Sequence, residues 1–94
     1  MPKMGAKDSP SISFVEVETT GVVTGGMNLY WIIAANNNTE SKKFTVSDGD
    51  AEVMKFIIPA KDTREFAFDP SIQFTTSINI SEIANSVTLL IGYL

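Results

Sequence analysis

Between Ile72 and Ile80 the chain alternates without a break: Ile72, Phe74, Thr76, Ile78 and Ile80 share one parity, and Gln73, Thr75, Ser77 and Asn79 share the other. A strand sends successive side chains to opposite faces, so this stretch has one mainly apolar and one hydroxyl-rich face. At helical spacing the same isoleucines would wind around every side, and the run is rich in the β-branched residues that favour strands. It predicts a half-buried β-strand around which the rest of the domain is arranged, with Phe74 in the core.

The remainder repeats the theme. Ile12 and Phe14 share one parity and Val15 and Val17 the other, a switch that predicts a β-bulge or a strand bending between sheets. Gly21, Gly25 and Gly26 mark a loose, mobile connection around Val22 and Val23. Asn28 to Asn36 is apolar on both parities, with Leu29, Trp31, Ile33 and Ala35 opposed to Tyr30, Ile32 and Ala34. Such a strand is either central and covered twice or meets another subunit through its outer face, so Tyr30 and Ile32 are candidate contact residues and Trp31 is read as core. Asn36 to Ser41 reads as a turn in which asparagines tolerate left-handed backbone.

Lys42 to Ser47 alternates into Asp48-Gly49, a hairpin signal of type I′, and the chain doubles back through Glu52 to Ile58. Pro59 cannot donate to a ladder and ends that strand. A short strand from Arg64 to Phe68 follows, then a corner at Asp69-Pro70, a last turn at Glu82 to Asn85 and a final strand from Val87. No window carries a helical stripe. The expected fold is all-β, a small antiparallel β-sandwich or jelly-roll-like barrel of about seven strands. The expected core is Phe44, Val46, Phe66, Phe68, Phe74, Ile78, Leu89 and Ile91.

Composition narrows the chemistry. The 94 residues include no cysteine and no histidine, which removes disulfide staples, thiolate metal sites and the commonest general base. Asp48, Asp50 and Glu52 neither follow a calcium loop nor supply enough oxygens for one, and Asp62, Glu65 and Asp69 have no sign of pairing across a cleft. No catalytic, cofactor or metal site is therefore expected. The net charge of -4, with basic residues dispersed apart from Lys42 and Lys43, argues against nucleic acid as a partner. The apolar runs are too short to span a bilayer, and Met1 to Pro10 lacks the apolar core of a signal peptide, so neither a membrane partner nor secretion is expected. Asn37 and Asn79 each begin an Asn-x-Ser/Thr triplet, given no weight as a glycan acceptor in a chain read as cytoplasmic. The organisation expected is an arm over residues 1–10, with Met1, Pro2, Lys3 and Met4 as candidate contacts to a neighbouring subunit or capsid, and one domain over residues 11–94.

The runs Phe44-Thr45-Val46-Ser47-Asp48-Gly49, Phe56-Ile57-Ile58-Pro59-Ala60, Arg64-Glu65-Phe66-Ala67-Phe68-Asp69-Pro70 and Ile72 to Ile78 together resemble a pattern of small β-sandwich virion proteins of tailed bacteriophages. In that pattern one strand ends in an Asp-Gly turn, a second in Ile-Pro-Ala, and a Phe-x-x-Pro corner leads into a strand ending Thr-Ser-Ile. The resemblance implies a non-enzymatic structural component of the virion, made in the host cytoplasm: a capsid decoration (cement) protein on the outer head surface. Its implied partners are the major capsid protein and further copies of itself, with a trimer expected. The alternative is a small carbohydrate- or receptor-binding module of a tail or fibre, with Trp31 or Tyr30 stacking on a sugar.

Overall fold

The computed structural model describes residues 12–24 and 28–94, and all the regular structure in them is β. Eight strands follow one another: β1 (Ser13–Val17), β2 (Gly21–Thr24), β3 (Asn28–Asn36), β4 (Lys42–Asp48), β5 (Ala51–Ile58), β6 (Asp62–Gln73), β7 (Ile78–Ile83) and β8 (Val87–Tyr93). They form two four-stranded antiparallel sheets, β1-β8-β3-β6 (sheet A) and β2-β7-β4-β5 (sheet B). The pairings β1·β8, β2·β7, β3·β6 and β4·β5 are those of one long hairpin rolled until its two halves face each other, the jelly-roll arrangement. The small β-sandwich expected from the alternation is therefore what forms, with one strand more. The additional strand is β2, which pairs with β7 where Gly21 to Val23 had read as a loose connection.

The core lies between the sheets. Leu29, Ile32, Ala34, Leu89 and Ile91 from sheet A meet Phe44, Val46, Ile58, Ile78 and Ile80 from sheet B, all fully buried. Phe74 is buried at the corner between sheets. Phe66 and Phe68, expected inside, are only half-buried. They close the open edge of the sandwich, where Phe56 of β5 stacks on Phe44 (centroids 4.9 Å apart) and meets Phe66 of β6 at 4.4 Å, joining sheet B to sheet A through rings.

Four local readings are corrected. Residues 72–80 are not one strand: β6 ends at Gln73, the chain turns through Phe74 to Ser77, and β7 begins at Ile78 in the other sheet. Ile72, Phe74, Ile78 and Ile80 all pack against the core because both sheets face it, while at the corner itself the parity breaks, with Thr76 exposed and Ser77 buried. β1 pairs with β8 in unbroken register and has no bulge; Ile12 and Phe14 simply face outward while Val15 and Val17 face in. The bulge lies in β3, where Leu29 pairs with Tyr93 and Trp31 with the adjacent Gly92, leaving Tyr30 as the additional residue. It puts Leu29 on the inner face with Ile32, Ala34 and Asn36, and turns Trp31, Ile33 and Ala35 outward. Asp69-Pro70 lies within the span of β6, at a break in its ladder: pairing with β3 stops at Ala67 and resumes at Ile72, so residues 68–71 have no partner on β3 and the proline forfeits no ladder bond.

Two polar knots hold the sheets in place. Asn36, 1% exposed, donates from Nδ2 to the carbonyls of Glu40 (3.0 Å), Ile58 (3.0 Å) and Pro59 (3.1 Å), and its Oδ1 accepts from the Asn38 backbone N–H (2.9 Å). It ties the end of β3 to the end of β5. The left-handed residues near these turns are Lys61 (φ 55°) and Ser86 (φ 62°), so the asparagines of 36–38 act through their side chains and not through unusual backbone angles. The second knot is Asp48. The β4–β5 turn has Gly49 and Asp50 at its centre, with Gly49 at φ 60°, the sign that a type II′ turn demands of its first central residue. Asp48 therefore belongs to the strand, and its carboxylate reaches the corner after β6. Oδ2 accepts from the Thr75 N–H (2.8 Å) and Thr75 Oγ1 (2.9 Å), and Oδ1 from the N–H groups of Thr76 (2.7 Å) and Ser77 (3.2 Å). Those bonds hold its pKa down to about 2.

Candidate docking surface

The outward side chains of sheet A follow from its register. Phe14 on β1 lies opposite Gly92 on β8, Gly92 opposite Trp31 on β3, and Trp31 opposite Ala67 on β6. The next row runs Glu16, Leu90, Ile33, Glu65, and the third brings Thr88, Ala35 and Thr63 together. The two central strands thus present Trp31, Ile33, Ala35 and Leu90 to the outside, each half-buried only by its neighbours. On the flanking edge strand Ile12 and Phe14 are 41% and 67% exposed. These apolar side chains lie side by side on the central strands, which makes the face a candidate docking surface.

Gly92 makes the patch flat. A Cβ placed there would overlap the Trp31 indole, so the ring lies across the bare backbone of β8. The rim is acidic. Glu16 and Glu65 end the middle row, and Glu18 accepts a hydrogen bond from Thr88 Oγ1 at 3.4 Å, which brings it over the same face.

The outer face of sheet B is built differently. Its central strands carry Thr45, whose hydroxyl donates to Glu82 Oε1 (2.8 Å), and Ser47, whose Oγ lies 2.6 Å from that of Ser81. Lys43 approaches Glu82 at 3.9 Å. Among the described residues, the large exposed apolar side chains here are on the edge strands, Val22 on β2 and Val53 and Ile57 on β5. An open groove of about 450 Å³ is lined by Lys42, Lys43, Ile57, Glu82, Ile83 and Ala84, with both charge signs at its wall.

The residues singled out in the sequence separate accordingly. Ile32 is fully buried between the sheets, so it is a core residue and closed to a partner; the bulge at Tyr30 exchanged its face for that of Trp31. Tyr30 is half-buried in the bulge itself. Trp31, read as core, faces outward. Met1, Pro2, Lys3 and Met4, and with them the arm over residues 1–10, lie outside the described residues. The acidic groups do not converge: Asp48 is occupied by backbone N–H groups, Glu52 pairs with Lys55 at 3.7 Å, and Asp62 with Arg64 at 2.6 Å. That guanidinium, with the Thr63 N–H, lowers the Asp62 pKa. Among the described residues no group of three His, Cys, Asp or Glu side chains could hold a metal ion. The outward row Phe14–Gly92–Trp31 leaves no local trace in the sequence, because it depends on pairing between β1 and β8, 78 positions apart in the chain.

Comparison with protein-family models, with curated proteins and with solved structures found no significant match to the chain.

Proposed function

We propose that this chain is a non-enzymatic structural subunit of a bacteriophage particle, a decoration (cement) protein seated on the outer surface of the head against the major capsid protein. The observation that carries the reading is the apolar outer face of sheet A, made of Phe14, Trp31, Ile33 and Leu90 on a domain whose core is already complete. A small rigid sandwich with one face left to cover has the form a surface-binding subunit needs. The strand-and-turn pattern from Phe44 to Ile80 supports the virion assignment by resemblance. Assembly as a trimer is part of the proposal, since threefold copies would multiply one modest contact into firm attachment.

Co-sedimentation of the purified chain with capsids of the phage encoding it tests the role: saturable binding is expected, and a chain that stays in the supernatant at all concentrations overturns it. The alternative, a carbohydrate- or receptor-binding module, is favoured by the outward indole of Trp31. Its test is a glycan array. Against it stands the arrangement of rings, since the ring-to-ring contacts among the described residues fall among Phe44, Phe56, Phe66 and Phe68 and not on the outer face.

A further inference from the structure

We infer that the outer face of sheet A takes a protein surface that is apolar at its centre and ringed by lysine or arginine, and that it does not take a second copy of itself. The inference rests on the docking role proposed above and adds the chemistry of the partner. Its first support is the distribution of charge. Glu16 and Glu65 end the central row of the face and Glu18 overhangs it, whereas no basic residue among those described lies on the outward rows of sheet A. Lys42, Lys43 and Lys55 are on β4 and β5 of sheet B. Lys61 sits in the β5–β6 turn with its ammonium on the Asn37 carbonyl (2.8 Å), and Arg64, on the opposite parity to Glu65, is held by Asp62.

The second support is the pattern within the row. Glu16, Leu90, Ile33 and Glu65 follow one another across four strands, an apolar pair bracketed by two carboxylates. Two such faces laid row on row set carboxylate against carboxylate, or against leucine or isoleucine when shifted by one strand, and like charges brought together across an interface select against the pairing. A partner with cations at the matching spacing places each beside a carboxylate while the apolar centres meet. The rim then steers the encounter, and the centre around Trp31 and Gly92 sets the lifetime of the complex.

Trp31 is the only tryptophan and lies on a central strand of the face, in the row beside Leu90 and Ile33, so its emission reports docking directly. The probe is a cyclised hairpin peptide carrying leucines on one face ringed by lysines, compared with the same peptide ringed by glutamates. The lysine-ringed peptide is expected to shift Trp31 emission to the blue and saturate, and the glutamate-ringed one to bind at least about tenfold more weakly, the effect of reversing a few rim charges. The double variant Glu16→Lys/Glu65→Lys, altered only at exposed positions, should invert that preference, and Phe14→Ser should weaken binding of both. Equal binding of the two peptides, an unchanged preference in the double variant, or an emission shift that follows protein concentration with no peptide present each overturns the inference. Capsids form the separate arm. A chain that prefers the lysine ring yet ignores capsids keeps the inference and removes the head-surface role; a double variant that sediments with capsids as well as the unaltered chain keeps that role and removes the inference.

Discussion

The two sheets have the same number of strands and one shared core, yet their outer faces were built by opposite rules. On sheet B the central strands carry hydroxyls and charges bonded to each other, Thr45 to Glu82 and Ser47 to Ser81, and apolar side chains are confined to the edges. On sheet A the central strands carry Trp31, Ile33, Ala35 and Leu90, and the charges are at the edges. The central strands of sheet B satisfy their outward polar groups with one another. Sheet A leaves half-buried apolar side chains on its central strands, and that difference is what the proposed docking role rests on.

The comparison breaks most directly if the core does not lie where the two inner faces place it. Phe74→Ala, at the buried corner between sheets, should lower stability by roughly 3 to 5 kcal/mol through lost transfer energy and a cavity. For a domain of this size that is a large share of the total. Chemical denaturation measures it, and an unmoved midpoint would put Phe74 on a surface. Asn36→Ala tests the seam that both sheets share: it strands the Ile58 and Pro59 carbonyls and should cost about 1 to 3 kcal/mol, with the loss read from the same unfolding curves.

Gly92→Ala sharpens the contrast between outer faces. The new methyl must displace the Trp31 indole, so a loss of about 1 to 3 kcal/mol is expected together with a red-shifted tryptophan emission. Ser81→Ala on sheet B should leave that emission where it was. Asp48→Asn probes how sheet B is joined to the corner. The Asp48 pKa is depressed in the folded chain to about 2 from its ordinary 3.8, so its carboxylate adds stability that is whole above about pH 4 and lost as the pH falls toward 2. The variant should therefore melt below the unaltered chain at neutral pH, and the gap should close between pH 4 and 2. A gap independent of pH would mean that the charge on Asp48 does not matter to the corner.

How much of this was legible in the sequence depended on whether the deciding contact was local. The Asp48-Gly49 hairpin and the stop at Pro59 were visible because turn chemistry is written in adjacent residues, although the turn centre moved by one residue once Asp48 was recruited to cap Thr75, Thr76 and Ser77. The inward parity of Phe74, Ile78 and Ile80 was visible too. What alternation could not distinguish was a continuing strand from a corner between two sheets facing one core. The bulge at Tyr30 leaves no compositional mark, and since every neighbour is apolar, Ile32 and Trp31 exchanged faces unseen. Asn36 looked like a turn residue because its partners at Ile58 and Pro59 are distant in the chain. The apolar outer face of sheet A was illegible for the same reason, being assembled from residues 14, 31, 33 and 90 by pairings across the whole domain.

The claim that sheet A and not sheet B carries the binding function is tested most directly by two substitutions matched for exposure. Phe14 is 67% exposed on the outer side of sheet A and Ile57 is 70% exposed on the outer side of sheet B. Phe14→Ser and Ile57→Ser should each leave stability within about 0.5 kcal/mol of the unaltered chain, as surface changes do. In capsid co-sedimentation the account predicts that Phe14→Ser weakens binding at least about tenfold, as loss of an exposed aromatic anchor does, while Ile57→Ser binds like the unaltered chain. Loss of binding in Ile57→Ser with Phe14→Ser unaffected would contradict it and move the docking surface to the other sheet.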